Sequence, residues 1–269
     1  MASNKAWDKI FRDYDIEKHN FENGPFEISA EQIKIACQSF TITGDKEPRI
    51  LCKQDTRSDR PTIFINKGLF ILPKKNGYYY ILKGEGYVDV PDITTPIQNY
   101  ESKLDFELES SMVGDSEMQF LDFAYANSLI RTFMNDPSLV LTIRGRKYTP
   151  HFSFKVGTNV LNTESVQTEV DAGYEGKASI VLIEAKNFSA TNVIIRQLYY
   201  PFRQWSEKTS KKVYPVFFEK RVINNENIFY IWQFEFTDIE DYNSIQLVKS
   251  GRYRINISKE KELTGKNQI

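Results

Sequence analysis

The sequence predicts an α+β fold with an α/β core, in which a central β-sheet is flanked by helices and preceded by a smaller N-terminal α+β domain. Three features predict it. Residues 4–14 and 30–36 carry apolar side chains at helical spacing, residues 41–100 change to short strands broken by Gly and Pro, and the second half alternates apolar strand-like runs with helical segments. With 269 residues and 41% hydrophobic content the chain has ample material for a core, so disorder is not expected.

Trp7, Ile10, Phe11 and Tyr14 form the apolar stripe of a first helix over 4–14, and Asn23, Gly24 and Pro25 end it in a loop. Ser29 stands three residues before Gln32 and just ahead of Ile33, Ile35 and Ala36, a capping box that starts a second helix. Two short helices of this kind are either part of a helix-turn-helix or winged module, or packing helices of a small α+β unit.

The run EPRILCKQDTRSDRP concentrates Arg49, Lys53, Arg57 and Arg60, and apolar runs at 63–65 and 69–72 follow as strands. Lys74, Lys75, Asn76 and Gly77 make a basic turn before Tyr78, Tyr79 and Tyr80. Cations and an amide bordered by aromatics suit a surface that meets phosphates and base edges, which makes Arg49, Lys53, Arg57, Arg60, Lys74, Lys75 and Asn76 candidate DNA contacts. A solvated loop face accounts for the same composition. Residues 91–114 read as a connector with one irregular strand near 104–108. The domain boundary is therefore placed at 100, giving an N-terminal domain over 1–100, a second domain over 101–260 and a flexible charged tail over 261–269.

Asp115 and Ser116 are expected to cap a helix over 117–134, with Met118, Leu121, Phe123, Leu129, Ile130 and Phe133 on its apolar faces. A strand over 139–143 leads to a basic turn, Arg144 to Lys147, in which Arg144 and Arg146 join the candidate DNA contacts. His151 opens the next strand, HFSFKV. A lone histidine beside aromatics is more often structural, and no chemistry is assigned to it.

Residues 165–171 alternate Val166, Thr168 and Val170 with Gln167, Glu169 and Asp171, so the polar face of that strand ends in two carboxylates. Gly173 and Gly176 in the following AGYEGKAS are expected to supply the positive φ angles of a tight return. On the next strand, ASIVLIEAKN, Leu182, Glu184 and Lys186 share one face and Val181, Ile183 and Ala185 the other. Charges on so apolar a strand are costly unless paired or bound to a metal. A hairpin would bring Asp171 beside Glu184 and Lys186, and two carboxylates with one ammonium suit a hard divalent cation and an activated water. Ser189 or Thr191 is expected to cap a helix in which Ile194, Leu198 and Phe202 line one face, Arg196, Gln197 and Arg203 carry polar heads, and Pro201 kinks or ends the helix. The runs VYPVFFEKRV, IFYIWQFEF and SIQLVKSGRYRI extend the sheet.

Asp171, then Glu184-Ala185-Lys186 after a hairpin-length gap, then a helix carrying Gln197, resembles the PD-(D/E)xK nuclease superfamily, and among its members the type II restriction endonucleases. EVD followed by a turn and IVLIEAK also resembles the RecB-like nucleases. Val170 stands where the superfamily usually has Pro. The resemblance covers about forty residues and implies a mixed central sheet of restriction-endonuclease-like type. It implies Mg²⁺ held by Asp171, Glu184 and the backbone carbonyl of Ala185. Lys186 would polarise the attacking water or stabilise the phosphorus, with Gln197 orienting a phosphate or water nearby. Glu169 would bind a second ion or support the first. Glu117 would be the acid supplied by a helix preceding the sheet, although the helix dipole alone favours an acid there. The implied activity is Mg²⁺-dependent, sequence-specific cleavage of double-stranded DNA by a homodimer, leaving 5′-phosphate ends. A structure-selective or repair nuclease of the same superfamily and a non-enzymatic DNA-binding α+β protein remain alternatives.

The balance of 35 Lys and Arg against 36 Asp and Glu, a net charge of −1, counts against a purely electrostatic nucleic-acid binder but does not exclude one with local patches. The two cysteines, Cys37 and Cys52, are too few for a disulfide framework. No signal-peptide pattern is read, and no apolar run approaches the roughly twenty residues that span a bilayer. A cytoplasmic protein with no membrane partner and no organic cofactor is expected.

Overall fold

The computed structural model describes residues 3–114 and 116–256. Asp115, expected as a helix cap, and the expected flexible tail over 261–269 lie outside the described residues, as do 257–260. The first helix, α1 (Asn4–Asp13), buries Trp7, Ile10 and Phe11 completely, as its stripe requires. Strand β1 (Phe26–Ser29) then runs into α2 (Ala30–Cys37), whose N-terminus is the expected capping box of Ser29 and Gln32. Because β1 and residues 14–25 intervene between the two helices, they are packing helices and not a helix-turn-helix.

Three short helices follow: α3 (Thr43–Lys46), α4 (Pro48–Leu51) and α5 (Thr62–Lys67). The 63–65 run is thus helical instead of extended. Phe64 seats edge-on to Trp7 and Phe11, with ring centroids 4.7 and 5.4 Å away, while Ile65 faces outward, so tertiary packing overrides β-branched preference. Gly68, at φ 64°, caps α5 and starts β2 (Leu69–Lys75), which turns at Gly77 into β3 (Tyr78–Lys83). These strands form a sheet in the order β1-β3-β2 with both faces buried. Leu69, Ile71 and Ile81 pack under the N-terminal helices, and Phe70, Leu72, Tyr80 and Leu82 join the core of the second unit.

The second unit begins with β4 (Tyr87–Asp89) and β5 (Gln98–Glu101), then α6 (Glu117–Ala126), α7 (Leu129–Met134), β6 (Val140–Tyr148), β7 (Phe152–Val156) and β8 (Asn159–Thr163). It continues through β9 (Gln167–Glu175), β10 (Ser179–Lys186), β11 (Asn192–Ile194), α8 (Ile195–Ser206), β12 (Lys212–Ile223), β13 (Glu226–Phe236) and β14 (Ile245–Asn256). The result is mixed α+β: a seven-stranded mixed sheet in the order β5-β14-β13-β12-β10-β9-β6, with β10 and β12 parallel across α8 and β14 and β5 also parallel. One face of the sheet carries α8, the β7–β8 ribbon and the N-terminal sheet; the other carries α6 and α7.

Several boundaries differ from expectation. Residues 87–101 belong with the second unit, since β4 pairs with β11, β5 pairs with β14, and the Trp232 indole N–H bonds the Pro91 carbonyl at 2.9 Å. The connector strand is β5, not 104–108. The expected helix over 117–134 breaks where Ser128 takes φ 63° and the Asn127 amide bonds the Phe123 carbonyl, and Ser116 caps α6 with Gln119. Arg144 to Lys147 do not turn back but lie within β6, which stays paired with β9 on both sides of an irregularity at 143–145, with Gly145 at φ 75°. Helix α8 begins with no side-chain cap and continues through Pro201. The proline removes only the N–H that would have met the Gln197 carbonyl, and buried Tyr199, Tyr200 and Phe202 hold the helix around it.

Strand β9 also runs on to Glu175, which leaves Asp171 inside the strand and not at its end. Neither Gly173 nor Gly176 has positive φ; they are glycines for space. A Cβ at residue 173 would lie 2.6 Å from the Ile143 Cβ on β6. Gly173→Ala should therefore destabilise the protein by about 2 kcal/mol through this overpacking. Gly44→Ala, with nothing within 4 Å of the added carbon, should be neutral or slightly stabilising. Urea denaturation midpoints of the two variants check both expectations.

Candidate active site

The β9–β10 ladder pairs Ile180 with Glu175 through Ile183 with Ala172 and stops there. The next backbone donor on that edge, Ala185 N–H, bonds the Asp171 carboxylate at 2.8 Å instead. Across Asp171 the face of β9 inverts. Val170 packs into the α8-side core and Ala172 into the α6-side core, and two residues of β9, Asp171 and Ala172, oppose the single Arg144 of β6 between the Ile143–Gly173 and Gly145–Val170 pairs. This is a bulge, a device that re-aims a side chain at a strand's end. It turns the Asp171 carboxylate along the sheet edge toward β10.

On β10 the face assignment is as expected, with Ile180 and Leu182 in one core and Val181, Ile183 and Ala185 in the other. Glu184 is 8% exposed and pairs with Lys186, and its Oε1 accepts from the Gln197 amide of α8 at 2.7 Å. Burial, and secondarily the Asp171 charge, push Glu184 up to about 7 despite Lys186 beside it. Asp171 is likewise raised by burial, with the Ala185 N–H and Lys186 pulling against it. For Lys186, burial works against the charge, but Glu184 first, then Glu117 and Asp171, more than offset it, so the ammonium is held protonated.

These groups line a cleft of about 680 Å³ between the two units. Glu117, in the first turn of α6, reaches it too: burial raises its carboxyl, and Lys186 and the Asn187 N–H moderate the rise. Glu169 lies on the exposed rim, 3.4 Å from Arg146. The structure therefore brings Asp171, Glu184, Lys186, Gln197, Glu169 and Glu117 around one cavity. Among the described residues no group of three or more His, Cys, Asp and Glu side chains is gathered at metal-ligand spacing. The oxygen set on the cleft floor is two carboxylates, with the Ala185 carbonyl on the same strand edge as its N–H.

Of the expected DNA contacts, Arg49, Lys53, Lys75, Asn76 and Arg146 line the cleft. Four others do not, and each has structural work. Arg57 bonds Asp89 and the Tyr87 carbonyl, Arg60 bonds the Arg57 and Leu69 carbonyls over the Tyr87 ring, Lys74 pairs with Glu27, and Arg144 pairs with Asp122. Arg203, read as a polar head, is buried against the Ser153 and Ile239 carbonyls. Exposed His151 plays no part. Sequence reasoning missed Asp55 and Arg196, which line the same cleft. Arg196 directly precedes Gln197, a signal that was available; Asp55 carried none.

Fold and cleft together define a mixed α+β protein whose ionisable floor lies between an N-terminal helical and sheet unit and a seven-stranded sheet. The chain belongs to the family described as Domain of unknown function (DUF6997), which matches residues 82–254, and residues 4–81 match a second model, Domain of unknown function (DUF6996). The two models meet at β3, where the structure divides. No curated protein and no solved structure matches the chain at a significant level. Among the described residues no helix is long and apolar enough to cross a membrane.

The raised carboxyls fix the sign of a pH effect. Glu184 binds a proton more tightly folded than unfolded, so its contribution to stability is present below its ordinary carboxylate range and is lost as pH rises through about 7; Asp171 and Glu117 act in the same direction. Metal-free protein should lose several degrees of Tm between about pH 5 and about pH 8, and Glu184→Gln should flatten that slope. Scanning fluorimetry across this range checks it.

Proposed function

We propose that this protein is a Mg²⁺-dependent endonuclease that hydrolyses phosphodiester bonds of double-stranded DNA in its inter-unit cleft. The observation that carries this is the convergence of Asp171, Glu184 and Lys186, with Gln197 bonded to Glu184, on one cavity edged by Arg49, Lys53, Lys75 and Arg146. The floor fits a hard divalent cation. Burial raises the proton affinity of both carboxylates and the Asp171 charge raises that of Glu184 further, a cost a cation would relieve, and the Gln197 Oε1 is buried with no hydrogen-bond partner. Asp171, Glu184 and the Ala185 carbonyl would hold Mg²⁺, which when bound supplies Lewis-acid polarisation of a phosphoryl oxygen.

The chain's own groups have distinct parts. Lys186, held protonated, cannot act as a base near neutral pH; it stabilises negative charge on the phosphoryl oxygens as water adds. Gln197 fixes the Glu184 carboxylate through its amide, and its free carbonyl oxygen is an acceptor for a water proton. Water forms the new bond to phosphorus as the bond to the 3′ oxygen breaks and that oxygen takes up a proton, leaving a 5′-phosphate and a 3′-hydroxyl. Asn76 and Gln167, on the cleft wall, have the amides that read base edges, which supports a sequence-specific, restriction-type enzyme. Cutting both strands of a palindrome is met most simply by a homodimer with two such sites.

Supercoiled plasmid with Mg²⁺ should be nicked and linearised at discrete positions. Asp171→Asn and Lys186→Ala should each lower the rate by at least about 10³-fold, the scale of losing an electrostatic catalytic group, while circular dichroism shows the fold retained. Glu117→Gln should have a smaller effect, about tenfold. A wild-type protein inert with both Mg²⁺ and Mn²⁺ would overturn the assignment.

A further inference from the structure

The segment after α4 is fastened to the second unit beside the candidate active site. The Asp55 carbonyl accepts the Ile194 N–H at 2.8 Å, the Arg57 N–H donates to the Asn192 side chain at 2.7 Å, and the Gln54 carbonyl accepts from the Tyr87 hydroxyl at 3.0 Å. These bonds hold Asp55 against the junction of β11 and α8, next to Arg196. The Asp55 carboxylate, 15% exposed, lies 3.7 Å from the Arg196 guanidinium and 3.5 Å from the Lys53 ammonium. Both separations exceed normal hydrogen-bond lengths. Two cations thus share one carboxylate at arm's length, on the wall facing the floor, with Arg196 one residue before the glutamine that bonds Glu184.

An arginine held this loosely retains its fork of donors for a better-matched anion. A phosphate diester offers two non-bridging oxygens that a guanidinium meets in bidentate fashion, and a carboxylate fixed out of bonding distance competes poorly with it. We infer that Arg196, with Lys53 beside it, is the seat for a backbone phosphate of the bound nucleic-acid strand, and that Asp55 is the counter-ion the phosphate displaces. The N-terminal unit then completes the site by presenting Lys53 and Asp55 across the cleft. The inference takes its substrate class from the nuclease reading, but needs no hydrolysis to be tested.

The test is fluorescence anisotropy of a short labelled DNA duplex with the full chain, Ca²⁺ replacing Mg²⁺, over a salt series. Arg196→Ala should weaken binding about tenfold and reduce the slope of log K against log salt by about one. Arg196→Lys should keep the slope and lose part of the affinity, because charge survives and the fork does not. Asp55→Asn should tighten binding several-fold. A merely structural pair would not give opposite signs for the two partners; shifts in the same direction, an unchanged slope for Arg196→Ala, or no duplex binding by the wild type would each overturn the inference. Should Arg196→Ala fail to fold, Arg196→Gln gives the same readout. Opposite shifts in a protein that never nicks plasmid would keep the phosphate seat and discard the nuclease, whereas nicking with binding indifferent to Arg196→Ala would do the reverse.

Discussion

The arrangement of this protein depends on one substitution of hydrogen-bond partners. Where the β9–β10 ladder would continue, the Ala185 N–H is taken by the side chain of Asp171 and not by a backbone carbonyl. A buried donor must be satisfied, and a carboxylate satisfies it while fixing its own position to within a hydrogen bond. The backbone ladder between β9 and β10 ends at Ile183 and Ala172, and because a side chain makes the last link between the two strands, the carboxylate that makes it becomes part of the cavity.

The bulge at Asp171 makes this link geometrically available. It inverts β9 so that Val170 serves the α8-side core while Ala172 and Tyr174 serve the α6-side core. Gly173 is required beside it because β6 passes too close for a side chain, so the bulge and the glycine are two parts of one close approach. On the neighbouring strand, Glu184 and Lys186 share one face, and Gln197 of α8 bonds Glu184 there. Burial is what gives the group its character. The same low-polarity surroundings that raise Glu184 toward neutrality make the surviving Lys186 charge effective over the cavity, since little water intervenes to screen it.

How much of this was legible in the sequence follows the range of the interactions. The capping box at Ser29 and Gln32, the stripe of Trp7, Ile10 and Phe11, and the alternation that puts Glu184 and Lys186 on one face of an apolar strand are all settled within a few residues, and each was readable. Gly173 and Gly176 misled because glycine has two uses, turn and close approach, and only the position of Ile143 and Asp136 decides between them. The 63–65 run misled because Phe64 finds Trp7 nearly sixty positions away in the chain. Arg57 and Arg60 looked like free cations because their partners, Asp89 and the Leu69 carbonyl, arrive with other elements. The domain boundary shifted from 100 toward β3 for the same reason: β4 and β5 have no partners nearby in sequence, and pair only when β11 and β14 arrive.

The N-terminal unit is more than an appended domain. Its sheet has no free face: Ile71 and Ile81 are buried under the helices on one side, while Leu72 and Tyr80 are buried against the second unit on the other. Separating the two units would expose those apolar side chains at a cost of roughly 25 cal/mol per Å² of surface, which opposes opening of the cleft between them. The second unit lines the cavity with Glu117, Glu169, Asp171 and Glu184 beside Arg146, Lys186 and Arg196, whereas the N-terminal unit brings Arg49, Lys53 and Lys75 beside Asp55. A chain with almost no net charge can therefore set an acid-rich side of one cavity against a side where basic groups prevail.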